Sequence, residues 1–341
     1  MHFSNILIRW YSKYKRDLPW RNTNLPYHVW LSEIILQQTR VAQGLDYYNK
    51  FIENYPKIED LANDNEDNVL KLWQGLGYYS RARNLHTTAK IISFELKGEF
   101  PNTYEEIIKL KGVGSYTAAA IASFCFEEPR AVVDGNVYRL LSRYFGVNTP
   151  IDSVKGKKDF QELAQECLNK QSPGEHNQAI MEFGALQCTP SPNCEECPLN
   201  DSCVAFAKST VTSLPVKEKK IKVRDRYFNF IVICDNENCY FQKRESKDIW
   251  QNLYQFPLNE SQKEISSPSE LEDAVLKGSI FVEVSEQFKH ILSHQRIFAK
   301  FWKFNVDKLP PSNKYKKVKK TEIHEFAIPR LIEKYLETSK N

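Results

Sequence analysis

Three sets of residues have types and spacings that could carry chemistry. Cys188, Cys194, Cys197 and Cys203 fall in CTPSPNCEECPLNDSC (188–203), which holds half of the chain's eight cysteines. Such a group can form disulfides, hold zinc or hold an iron-sulfur centre. Zinc sites commonly pair two C-x2-C knuckles, whereas here one C-x2-C stands between two longer gaps, and four thiolates packed locally suit a 4Fe-4S cluster. Glu33 lies in HVWLSEIILQQTR with Val29, Trp30, Leu31, Ile34, Ile35 and Leu36 around it. A carboxyl among such neighbours loses solvation, its pKa rises, and it becomes able to deliver a proton near neutral pH. A Glu paired with a buried Arg, or capping a neighbouring helix, would give the same pattern. Asp134, in VVDGNVYRLL, stands directly before a helix, where Asp is common as an N-cap. A second role, as a carboxylate facing a cationic sugar, gains weight from LKGVGSYTAAA (110–120). There Gly112 and Gly114 join two helices, and the turn bares helix N-terminal amides that can hold a phosphate without any basic side chain. A bare G-x-G would otherwise be a tight helix connection.

Elements must position these residues, and 341 residues suffice for two domains with cores of their own. Up to about residue 208 the apolar spacing is helical, as in 28–40, 80–96, 115–126 and 136–145. Beyond it RYFNFIVIC, CYFQKR, GSIFVEV and RIFAKFWKF have strand composition, with PSELEDAVL and IPRLIEKYLE as helices, so a small α+β domain is expected. The charged stretch between, 209–225, reads as a linker. Residues 1–209 carry 23 Lys and Arg against 25 Asp and Glu, and residues 210–341 carry 24 against 18, so the excess of +4 arises after the helical part. KEKKIKVRDR (217–226) and KYKKVKK (314–320) supply it, and runs like these are commonly solvated loops. Charge permits nucleic acid as a partner without requiring it. No 18-residue apolar run is present and the N-terminal stretch lacks signal-peptide features, which gives the expectation of a cytoplasmic protein with reduced thiols and no membrane partner.

L-x-G-V-G-x-x-T-A matches the helix-hairpin-helix motif of base-excision DNA glycosylases. With SEIILQQTR before it, VVDGN after it and the cysteine group closing the helical part, the chain resembles the MutY-type adenine DNA glycosylases along nearly its whole length. LPWR (18–21), GLGYYSRARNL (75–85), NQAIMEFGALQC (177–188) and IWQNLYQFP (249–257) support the resemblance. It implies a multidomain fold. An all-α region (1–208) would comprise a six-helix barrel with the hairpin (22–134) and an iron-sulfur subdomain (1–21 plus 135–208), followed by an α+β Nudix-like domain (226–341). The implied activity is removal of adenine mispaired with 8-oxoguanine or guanine in double-stranded DNA, by a monomer. Glu33 would protonate the flipped adenine at N7, Asp134 would stabilise the oxocarbenium ion through a transient covalent adduct, and Glu33 would activate water. Tyr116 and Asn136 would complete the catalytic pocket, and Arg16, Leu18, Trp20 and Arg21 part of the adenine wall, although a Leu or Trp in such a segment serves equally as core.

The lysine of the related bifunctional glycosylases of the endonuclease III type is replaced by Tyr116. A phenol forms no imine, so a monofunctional enzyme is implied. Gln38 and Tyr78 match positions that enter the duplex, and Gly112 and Gly114 its phosphate contact. Leu292, Ser293 and His294 match the loop that senses 8-oxoguanine. The Glu-rich box that binds magnesium in Nudix hydrolases is missing, so hydrolysis there is not expected. The resemblance implies a 4Fe-4S cluster on Cys188, Cys194, Cys197 and Cys203, with one departure. The family spacing is usually C-x6-C-x2-C-x5-C, and here Cys188 and Cys194 enclose only TPSPN. A tighter turn at Pro190 and Pro192 can absorb the missing residue; Cys125 and Cys167 lie outside the loop. A non-catalytic DNA-binding protein is the alternative from another class, and both carboxylates stand against it.

Overall fold

The computed structural model describes residues 2–218 and 223–338. Two compact units divide the chain: Met1–Asn63 with Asn84–Lys220, and Asp64–Arg83 with Ile221–Asn341. The helices are α1 (His2–Tyr14), α2 (Pro26–Leu36), α3 (Val41–Asn54), α4 (Ile58–Asn63), α5 (Glu66–Leu72), α6 (Ser80–Lys90), α7 (Tyr104–Ile107), α8 (Ser115–Phe126), α9 (Gly135–Phe145), α10 (Val154–Cys167), α11 (Pro173–Leu186), α12 (Val204–Ala207) and α13 (Arg330–Thr338). The strands are β1 (Arg224–Cys234), β2 (Asn238–Lys243), β3 (Tyr254–Gln255), β4 (Leu258–Ser261), β5 (Ile280–Val284), β6 (Phe288–Ile291), β7 (Gln295–Asn305) and β8 (Lys316–Lys319).

In the first unit the apolar faces close around two centres. α2, with Pro26 in its first turn, packs on α8, and both are apolar nearly all round, as helices buried on several sides must be. Phe3, Leu7 and Tyr11 of α1 join Leu140 and Leu141 of α9, Phe160 of α10, Ile180 and Phe183 of α11, and Cys188 in a second core. That core ties the N-terminal helix to the segment carrying the cysteines. The helix expected over 28–40 stops at Leu36, because Gln37 turns extended and Gln38 takes a left-handed φ of 58°. The one over 80–96 is α-helical to Lys90 and continues as a single π turn, Ile91–Glu95.

In the second unit the strand order is β3-β2-β1-β7-β5, with β1 and β7 parallel over their whole length. This mixed sheet holds Ile231, Ile233, Trp302 and Phe304 on one core, and Tyr335 of α13 stacks on Phe301 with ring centroids 3.9 Å apart. All four expected strands and the terminal helix are present. PSELEDAVL is not a helix: it forms two short 3-10 turns, Pro268–Glu270 and Ala274–Leu276. Leu271 between them is extended and buried, and Asp273 accepts from the Val275 amide to start a separate turn, so no helical ladder runs through. Cys234 and Cys239, opposite each other on β1 and β2, form a disulfide, contrary to the expectation of reduced thiols, whereas the four clustered cysteines are free. Of the basic run 314–320, Lys314, Lys317 and Lys319 are ion-paired with Asp273, Asp235 and Glu322, as befits a structural surface. The linker expected at 209–225 and the run 217–226 both include 219–222, which lie outside the described residues.

Candidate active site

Glu33 is 7% exposed, midway along a helix whose residues Val29 to Ile35 are all buried. Burial drives its pKa up to about 7, and the Asp134 charge adds to the rise, against a hydrogen bond from Tyr116 and the charge of Arg21. The carboxyl is therefore poised between its two forms near neutral pH. Tyr116, in the first turn of α8, has its phenol held well above its ordinary pKa by burial and by Glu33 and Asp134, so it stays a neutral donor. Its hydroxyl also reaches the Met181 sulfur at 3.8 Å.

Asp134 does cap α9, and the cap uses mainly one oxygen. Oδ1 accepts from the Asn136 and Val137 amides at 2.9 and 2.7 Å, while Oδ2 accepts from Asn136 Nδ2 at 2.9 Å. Burial raises the Asp134 pKa and these bonds oppose the rise. The structural and catalytic roles are thus compatible: Oδ2 keeps lone-pair capacity while Oδ1 holds the helix. Arg139, one turn along α9, donates to Asn136 Oδ1, to Gly184 O and to the Cys188 carbonyl, at 2.8, 2.7 and 2.7 Å. One side chain thereby links the acid's partner to the first cysteine of the cluster.

All eight expected catalytic and adenine-pocket residues, Glu33, Tyr116, Asp134, Asn136, Arg16, Leu18, Trp20 and Arg21, line one cavity of about 280 Å³. Leu18 and Trp20 are buried and serve as core too, Trp20 edge-on to Tyr48. The cavity also contains a residue missed in the sequence, Glu182 on α11, 1% exposed at its side chain. It accepts from Arg16 Nε and Nη2 at 2.8 and 2.5 Å and from Arg21 Nη1 and Nη2 at 2.8 and 2.7 Å. Burial alone would raise its pKa, and the two guanidiniums overcome that and hold it down at about 2. The signal that singled out Glu33, an acid inside an apolar helix, was equally present in NQAIMEFGALQC.

Tyr116 is the hairpin residue in this cavity; Gly112, Gly114 and Gln38 do not line it. Gly112 has φ +80°, and a Cβ there would meet Asn84 Cβ at 2.6 Å, so glycine is required. Gly114 caps α8 with open space on its side-chain side, leaving the exposed amide end of a twelve-residue helix accessible. Gln38 is exposed. In the second unit Tyr78 has φ 47° and its hydroxyl shares a hydrogen bond of 2.7 Å with Ser293 Oγ. Tyr78, Leu292, Ser293 and His294 line a cavity of about 390 Å³ with Arg83 and Trp250. The turn 292–294 joins β6 to β7, closed by the Leu292 amide on Gln295 O at 2.8 Å.

The four cysteines follow α11. Arg143 donates to Thr189 O and Pro190 O at 2.6 and 3.0 Å and lies 3.6 Å from Cys188 Sγ, so the shortened TPSPN loop is held by a buried guanidinium. Burial raises the thiol pKa of Cys188 and Cys194, and that of Cys197 to about 11. Among the described residues no three His, Cys, Asp or Glu converge on a single-ion site. A 4Fe-4S cluster asks for less convergence, because each thiolate binds its own iron, and the all-sulfur donor set in one loop fits it.

Two family models match: the HhH-GPD superfamily base excision DNA repair protein over residues 31–169 and the NUDIX domain over residues 229–338. An adenine DNA glycosylase of Buchnera aphidicola subsp. Baizongia pistaciae is 36% identical over 304 residues, 87% of this chain and 84% of that protein. The adenine DNA glycosylase of Mus musculus is 43% identical over 216 residues, 60% of this chain and 42% of the mouse protein. Among solved structures, a thermostable thymine-DNA glycosylase matches with a TM-score of 0.56 and 30% identity, covering 61% of this chain and 96% of that one.

Proposed function

Because the chain belongs to the adenine DNA glycosylases, DNA-binding enzymes of base excision repair, we propose that its substrate is adenine opposite 8-oxoguanine or guanine, released by hydrolysis of the N-glycosidic bond. The observation that carries this proposal is the convergence of Glu33, Tyr116 and Asp134 on one buried cavity. An adenine inside a duplex is out of reach, so the nucleotide must be flipped, at a cost of a few kcal/mol that is smaller for an imperfect pair. Leu18 and Trp20 face the flipped ring, and Arg16, Arg21 and Glu182 supply polar groups at its rim. Glu33 in its acid form protonates N7 and turns adenine into a neutral leaving group. The Asp134 carboxylate lies where positive charge grows on the sugar, and captures or stabilises it. Glu33, now ionised, then takes a proton from water. With Tyr116 where a lysine would form an imine, the product is an intact abasic strand.

Tyr78, Ser293 and His294 form the group that reads 8-oxoguanine, whose N7–H is a donor that guanine lacks, and Ser293 Oγ can accept it. Residues 1–208 act as the catalytic region and 226–341 as the lesion-reading domain, joined by the linker 209–225, and the protein works as a monomer. Cys188, Cys194, Cys197 and Cys203 hold a 4Fe-4S cluster whose contribution is structural, ordering a loop that contacts DNA. Metal analysis of anaerobically purified protein is expected to give about four irons per chain; zinc without iron would remove the cluster and leave the catalytic assignment standing.

Single-turnover excision on duplexes containing adenine opposite 8-oxoguanine, guanine or thymine tests the proposal. Adenine should be released fastest opposite 8-oxoguanine, with the strand uncut until alkali is added and little covalent trapping by borohydride. Ser293→Ala combined with His294→Ala should lower the preference for 8-oxoguanine over guanine about tenfold, as expected for lost hydrogen bonds worth about 1.4 kcal/mol together. An unchanged preference would sink the assignment of that loop.

A further inference from the structure

The chain has two methionines, Met1 and Met181, and the internal one sits in the catalytic cavity. Met181, on α11, packs against the buried cluster of Ala119, Ala120 and Val132, as Tyr116 and Phe124 also do, and its sulfur is 3.8 Å from the Tyr116 hydroxyl. That hydroxyl also hydrogen-bonds the Glu33 carboxyl. A phenol has one proton and so serves one acceptor at a time. We propose that Met181 is a positioning residue whose thioether accepts the Tyr116 proton while Glu33 is in its acid form, freeing the phenol oxygen to accept from Glu33. Once Glu33 is ionised, the Tyr116 proton swings to the carboxylate. The thioether thus supports the acid state of Glu33 and has no partner to offer in the ionised state. This inference rests on Glu33 being the general acid.

The sign of the effect follows from that asymmetry. Without the sulfur, the acid form of Glu33 leaves the phenol proton without an acceptor on that side, while the ionised form is unaffected; the acid form becomes the weaker state and is lost at lower pH. The other charged and titratable groups around Glu33 are Arg21 from the turn at 19–21, Arg40 before α3, Cys125 on α8 and Asp134 at the head of α9, with Arg16 and Glu182 across the cavity. A change at Met181 to leucine adds or removes no charge among them, keeps the volume and is tolerated in packed interiors.

Single-turnover rates from pH 5 to 9 for wild type, Met181→Leu, Tyr116→Phe and the double variant test this. In Met181→Leu the alkaline limb should move down by about half a pH unit, a rate about threefold lower above the limb, as a weak hydrogen bond would allow. In the Tyr116→Phe background the same substitution should move nothing, because Met181 acts only through the hydroxyl. A limb unmoved by Met181→Leu, or moved equally with and without the hydroxyl, overturns the proposal. Should Met181→Leu melt early, selenomethionine at this position keeps a soft acceptor and should leave the limb at its wild-type place; a shift as large as leucine's overturns it as well. Excision that survives Glu33→Gln would instead remove the general-acid role of Glu33, and this inference with it.

Discussion

Glu33→Gln is expected to lower the single-turnover rate by roughly 10²–10⁴-fold while raising the melting temperature. The loss of rate follows from removing an acid whose pKa, about 7, lies near the working pH. Glutamine keeps the shape and can still bond Tyr116, so binding of the duplex should persist. The gain in stability has a separate cause. In the folded chain Glu33 holds its proton up to about pH 7, against an ordinary value of 4.5 when solvated. Between those values the unfolded chain releases a proton that the folded chain retains, so stability contributed below pH 4.5 is lost as pH rises through 7. At neutral pH and above, the penalty approaches the order of 3 kcal/mol. Removing the titration removes the penalty. An inactive variant that melts at or above the wild type at pH 7.5, and whose melting temperature varies less between pH 5 and 8, is the expected outcome. An inactive variant that melts well below wild type would mean that Glu33 is structural.

The burial of Glu33 was legible in the sequence because an acid flanked by apolar residues at helical spacing must lose solvation, whereas its role came only from the resemblance. Asp134 was half legible: its position before a helix gives the cap, and the cavity it faces comes from residues about a hundred positions away on α2. Glu182 shows the limit most clearly. Its local pattern is that of Glu33, but its partners Arg16 and Arg21 are 166 and 161 residues distant in the chain. No local signal distinguishes a carboxyl that will meet two guanidiniums from one that will meet none. The helix ends failed for a related reason. Gln37 and Gln38 have helical propensity and continue the periodicity, yet the chain leaves the helix there and Gln38 takes a left-handed conformation. Such a conformation at an exposed non-glycine residue is costly and is found where a site requires it. The PSELEDAVL segment misled because Ser, Asp and Pro are helix-start residues and turn residues alike. The strands, in contrast, were plain in their composition, since β1 is buried along most of its length, β7 buries Ile297, Ala299, Phe301, Trp302 and Phe304, and the two pair in parallel.

Glu182→Gln is expected to be the most destabilising single change in the cavity, by about 3 kcal/mol, and to lower activity through the adenine wall. Two arginines now share one carboxylate. Without its charge, Arg21, whose side chain is 14% exposed, is left partly buried and unpaired, and Arg16 turns to solvent. Removing one partner of a buried pair costs more than the pair ever contributed, because the stranded charge keeps its desolvation penalty. The pH dependence separates this effect from loss of packing. The folded pKa of Glu182 is about 2, below its ordinary value of 4.5, so its stabilisation is complete above pH 4.5 and is lost as pH falls toward 2. Wild type should therefore lose stability through that acid window more steeply than Glu182→Gln, and the two unfolding curves should approach each other near pH 2. A variant with an unchanged melting temperature at neutral pH would show that the guanidiniums find other partners. Two acids of one cavity are thus held far apart in pKa, Glu33 at about 7 and Glu182 at about 2, by the presence or absence of direct guanidinium bonds. Such a separation lets one group carry a proton while its neighbour stays charged and fixed. It also explains why the arginines point at Glu182: a guanidinium bonded to Glu33 instead would depress its pKa and disarm it as an acid at neutral pH.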